Sequence, residues 1–102
     1  MQDSKIYINT KGLNVLIRCN ANLAGTVETK FKVRKPDGSE TEWPADPVVA
    51  DETGILSWLS YTTLEGDLNQ VGEYIVQPFV AYSAGFSGKG TPVRLRVWPK
   101  WR

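Results

Sequence analysis

Turn chemistry at short, regular intervals constrains this chain more than any other feature. Lys35-Pro36-Asp37-Gly38 precedes Trp43, Tyr61-Thr62-Thr63 and Gly66-Asp67-Leu68 follow, and Gly72-Glu73-Tyr74 leads to Gln77. In the first of these, proline presets φ, aspartate bonds its own backbone and glycine accepts positive φ, which together predict a tight hairpin turn. Between such turns the apolar residues alternate. Val27, Thr29, Phe31 and Val33 interleave with Glu28, Lys30, Lys32 and Arg34, the period-two signature of a strand with one inward and one solvated face. Further strands are expected at 5–9, 13–19, 40–43, 55–62, 73–82 and 91–98, with a short one at 48–50 and a single helical turn between 67 and 71. Pro44 and Pro47 confine their segment to an edge. About seven short strands in 102 residues predict one all-β domain, a β-sandwich without a disulfide.

Composition narrows the chemistry. The 102 residues include 12 Lys or Arg and 11 Asp or Glu, a net charge of +1, and no histidine. This balance argues against a nucleic-acid partner or an anionic membrane surface. The stripes Lys30, Lys32, Arg34 and Arg94, Arg96 are interrupted by Glu28, Glu40 and Glu42, as on solvated strand faces. With no imidazole and Cys19 as the one cysteine, neither a Ser-His-Asp or Cys-His pair nor a structural zinc site can be assembled. No catalytic residue, cofactor or metal is expected. Cys19 shares the parity of Val15 and Ile17 and reads as a small buried hydrophobe rather than a reactive thiol, although Leu16 keeps the other face of that strand partly apolar. No run reaches membrane-spanning or signal-peptide length, which suggests synthesis in the cytoplasm.

Candidate binding residues are aromatic. Trp58, in an apolar strand, is expected in the core. Trp43 beside Pro44, Trp98 on the parity of Arg94 and Arg96, and Trp101 near the end of the chain either cap the open ends of the sandwich or form a platform for carbohydrate or protein. Phe86, in the glycine-rich segment 84–90 between the last two strands, is expected to sit in an interaction loop.

Two resemblances refine this picture. Gly72-Glu73-Tyr74-Ile75-Val76 is similar to the corner opening strand F of immunoglobulin domains, with Gly72 at the small position, Tyr74 as the corner tyrosine and Val76 in place of cysteine. Cys19 would then stand near the strand-B cysteine and Phe31 where the core tryptophan is sought, which implies an immunoglobulin-like sandwich lacking the disulfide. Across most of the chain, the "KPDG" hairpin and the Gly66-Asp67-Leu68-Asn69, Gly72, Tyr74, Gln77 succession resemble small immunoglobulin-like structural proteins of tailed bacteriophages and prophages. That likeness implies a non-enzymatic virion component in a bacterial host, assembling with other virion proteins and with itself through Phe86, Trp43, Trp98 and Trp101. The other reading is a carbohydrate- or cell-surface-binding module.

Overall fold

The computed structural model describes residues 5–19, 21–85 and 87–100. The strands are β1 (Ile6–Tyr7), β2 (Asn14–Arg18), β3 (Thr26–Arg34), β4 (Glu40–Pro44), β5 (Asp46–Val48), β6 (Trp58–Thr62), β7 (Gly72–Tyr82), β8 (Ser87–Lys89) and β9 (Val93–Trp98). One sheet runs β1-β9-β7-β3-β4, with β8 also paired to β7, and the other runs β2-β6-β5. All pairings are antiparallel except β1 with β9. This is an immunoglobulin-like sandwich in which the first strand lies beside the last, instead of covering the outer side of β2.

Alternation builds the core. Phe31 and Val33 of β3, Trp43 of β4, Tyr74 and Val76 of β7 and Val97 of β9 face inward from the larger sheet. Val15 and Ile17 of β2 and Leu59 of β6 meet them from the smaller one, with Leu68 and Leu23 closing the ends. Tyr74 lies in the corner expected of it: its buried hydroxyl accepts the Gln70 backbone N–H at 3.0 Å. Val76 and Phe31 fill the places of the antibody cysteine and tryptophan as packed hydrophobes, both fully buried.

The two turn motifs are in contact. In the hairpin, Asp37 Oδ1 accepts the Ser39 N–H at 2.9 Å and its hydroxyl at 2.6 Å. Gln70 then grips the same turn, accepting the Asp37 N–H through Oε1 and donating through Nε2 to Asp37 Oδ2, each at 3.1 Å. Gly72, at φ +131°, lets Pro36 pack directly on its backbone; a Cβ built there would stand 2.9 Å from the proline ring. Asp67 stabilises the preceding bend by accepting the Leu64 N–H at 2.7 Å and the Tyr61 hydroxyl. Burial, with help from that carboxylate, pushes the Tyr61 phenol up to about 12.

Several expectations are corrected. No helix forms between 67 and 71; the segment is a sequence of turns. The short strand placed at 48–50 occupies Asp46–Val48. The glycine-rich segment contains an additional strand, β8, which pairs with β7 beyond the point where β9 leaves it. The interruption falls at Pro78, whose carbonyl accepts the Gly90 N–H at 2.9 Å while the Gln77 side chain holds the Gly90 carbonyl. Val27 lies beside a register shift in β3 and is 69% exposed, so the inward row begins two residues later.

Candidate interaction surfaces

Among the described residues, Trp43 and Trp98 do not come together as an aromatic platform. Trp43 is a core residue, 2% exposed, with its ring stacked 5.0 Å from that of Tyr61. The hairpin dictates this: counting back from the turn, Trp43 falls opposite Phe31, and cross-strand partners share a face. Trp58, expected in the core, instead lies half-buried on the outer face of the smaller sheet, with its indole N–H donated to Asp51 Oδ2 at 2.9 Å. Trp98 is half-buried on the outer face of the other sheet, with Lys5 Nζ 4.9 Å and the Arg96 guanidinium 5.3 Å from its ring centre. Trp58 and Trp98 thus occupy opposite outer faces. Phe86 and Trp101 lie outside the described residues.

On the outer face of the larger sheet the charged stripe is neutralised from within. Glu42 accepts from Lys30 at 3.1 Å, and Glu28 approaches the same ammonium at 3.0 Å. These carboxylates hold the Lys30 ammonium above its ordinary range. Arg34 pairs with Glu40 at 3.2 Å and Arg94 with Glu73 at 2.8 Å. Between the β3–β4 hairpin and the Lys89–Pro92 kink lies an open concavity of about 560 Å³, lined by Lys32, Arg34, Glu42, Ile75, Gln77 and Lys89 among others. Its cations and anions alternate, so it carries no concentrated charge for a phosphate or a nucleic acid.

The metal-binding potential is limited by the donors. The chain has no histidine, and no group of three Cys, Asp or Glu side chains comes together among the described residues. Burial pushes the Cys19 thiol up, away from the thiolate that metal binding or nucleophilic attack requires. It adjoins a small cavity of about 160 Å³ shared with Leu23, Pro78, Val80 and Tyr82.

The sheet edges differ sharply. On one flank, β4 presents Glu40, Glu42 and Pro44 along its free side, and three-residue β5 contains Pro47. On the other flank, β1 is two residues long. Charge, proline and brevity are the usual protections of an exposed edge. Three-residue β8, paired to β7 alone, is as brief as β5, whereas β2 has five residues, Asn14–Arg18, with no proline or acidic side chain and a single charge, that of Arg18. Backbone bonds from Cys19 N–H to Ser57 and from Thr63 N–H to Leu13 place the odd-numbered residues of β2 in hydrogen-bonded pairs with β6. By the antiparallel alternation, the N–H and C=O groups of Asn14, Leu16 and Arg18 point away from the sheet. All three residues are exposed, and Leu16, at 44%, projects an apolar side chain from the outer face.

Leu16 is the residue that sequence reasoning passed over. Its signal was an apolar side chain on the otherwise polar parity of 14, 16 and 18. In isolation that pattern reads as a strand buried on both sides; the topology makes it an edge.

No family model and no curated protein matches the sequence. Among solved structures, CopC from Methylosinus trichosporium OB3b is similar, with a TM-score of 0.60 and 18% identity over 98% of this chain and 89% of that one. The comparison corrects the virion expectation, since the solved structure that matches is CopC and not a phage or prophage structural protein. The physical reason lies in the motifs that suggested a virion: the hairpin turn and the 66–74 corner are held against each other by Gln70, Asp37, Pro36 and Gly72, so they record how the sandwich is closed.

Proposed function

We propose that this chain is a non-catalytic protein-interaction domain that works by strand addition at β2. The observation that carries this reading is the contrast among the sheet edges of the described residues, where β2 combines five-residue length, free backbone groups and an apolar outward side chain, and β1, β4, β5 and β8 do not. Strand addition draws its affinity from main-chain hydrogen bonds and its specificity from alternate side chains, here Asn14, Leu16 and Arg18. A non-catalytic role is supported by the sequence, which offers no imidazole, and by the raised thiol of Cys19.

Site-specific photo-crosslinking tests it. A benzophenone side chain at position 16 is expected to yield discrete protein adducts in the cell that makes the chain, whereas one at position 42, on the guarded β4 edge, yields few. Equal labelling from both positions, or none from position 16, would refute strand addition at β2.

A further inference from the structure

The free edge of β2 is complementary to itself. Its outward backbone groups fall on Asn14, Leu16 and Arg18, so an antiparallel partner must offer groups at the same spacing, and a second β2 does. Placing a two-fold axis at Leu16 sets Leu16 opposite its own copy and Asn14 opposite Arg18 at either end. Every outward N–H and C=O of the strand then finds a partner. Sliding the copies by two residues in either direction leaves part of the strand unpaired, and a slip of four leaves a single pair, Arg18 against Arg18 in one direction and Asn14 against Asn14 in the other.

We propose that the partner added at β2 is a second copy of this chain, joined antiparallel about Leu16, so that β5-β6-β2 continues across the axis as one sheet. The proposal rests on the strand-addition reading and names its partner. Side chains favour this register over its neighbours. The two Leu16 side chains meet on the outer face, where each is 44% exposed in the single chain. Asn14, which donates from Nδ2 to Ser60 Oγ at 2.9 Å, is a neutral neighbour for the opposing Arg18. The two Arg18 residues lie four positions apart along the strand direction, roughly 13 Å at strand spacing, beyond the screening length at physiological salt. The other edges cannot pair in this way. At β4 a two-fold would juxtapose glutamates and a proline without an N–H, and at β5 Pro47 shortens an already brief strand.

Self-pairing makes a prediction that no other partner makes, because position 16 must meet position 16. In sedimentation equilibrium the wild-type chain is expected to rise from 11.4 kDa towards twice that mass as concentration increases. Leu16→Lys and Leu16→Glu are each expected to remain at the single-chain mass, since each sets like charges face to face. An equimolar mixture of the two is expected to regain the doubled mass. Leu16 is outside the core, and circular dichroism checks that both variants are folded. A second measurement needs no variant: raising the wild-type concentration should slow amide exchange at Asn14, Leu16 and Arg18 at least tenfold while Glu40 and Glu42 are unaffected.

A wild-type chain that stays single at every concentration overturns the proposal, as does a mixture of variants that fails to associate or an unchanged exchange rate at Leu16. If the chain is single while position 16 still crosslinks to a different protein, self-pairing fails and strand addition stands. If both experiments are negative, both fail.

Discussion

Tyr74 shows how one side chain can join packing to backbone satisfaction. Its ring fills the centre of the sandwich, and its hydroxyl accepts the Gln70 N–H that turns the chain into β7. Replacing it with phenylalanine retains the ring and removes the acceptor. Tyr74→Phe is therefore expected to lower stability by about 1–2 kcal/mol in urea denaturation with an unchanged slope. The residue was legible because a small residue, tyrosine and valine at every second position specify the corner. Trp43 was legible too, but only by counting from the turn: the Lys35 to Ser39 pairing puts it opposite Phe31, information outweighed by the proline beside it. Trp58 was not, because its apolar neighbours lie on both parities and its outward position depends on β6 being flanked by β2 and β5. There Asp51 accepts hydrogen bonds from Thr53 and the Trp58 indole, which hold its carboxyl below the ordinary 3.8. A lowered pKa in the folded state means a contribution present above the unfolded value and lost as pH falls through the folded one. The Trp58 indole proton resonance should accordingly shift below about pH 4. Asp51→Asn should abolish that shift; a shift that survives the substitution would assign it to another group.

At the scale of elements, the hairpin and the 66–74 corner behave as one unit. Pro36 rests on Gly72, whose φ of +131° suits glycine and whose missing Cβ leaves the proline its space. Gly72→Ala would introduce both an unfavourable backbone conformation and a 2.9 Å contact with the ring. A loss of about 2–4 kcal/mol is expected by chemical denaturation, above the loss for a comparable glycine such as Gly25, where the added Cβ meets nothing. Similar losses at the two positions would show that Pro36 yields freely and that the hairpin does not brace the corner. Most strands were readable from turns and alternation. β8 was not, because Ser87-Gly88-Lys89 has no apolar pattern and forms a strand only where β7 continues past β9. The exposed edge of β2 was likewise hidden, since which strand lies outermost is a property of topology and not of local sequence.

The whole molecule is unevenly built, and its dynamics should follow. Strands β3 and β7, of nine and eleven residues, reach well beyond the five-residue β2 and β6 that face them. The body extends 47 × 33 × 21 Å with a radius of gyration of 14.4 Å, against roughly 13 Å for a compact domain of this length. At one end Tyr74, Val76, Phe31, Val33, Leu59 and Val97 are essentially sealed. At the other, Val80 and Tyr82 are half-buried around the small cavity beside Cys19, and Val27 is exposed. Opening free energy follows the apolar contacts that must be broken, so the two ends of the same β-strands should exchange amide protons at different rates. Hydrogen-bonded amides in residues 31–33 and 74–76 are expected to exchange only on global unfolding. Those in 79–82 and 87–89 should exchange at least tenfold faster, through local opening that leaves the sealed end intact. Uniform protection along β7 would show that the overhang is held as firmly as the core. The gradient bears on the proposed role because Val15 and Ile17 anchor β2 to the sealed end, with Leu16 between them facing outward. A partner strand would therefore meet an edge whose geometry is already fixed, and little ordering would oppose its addition.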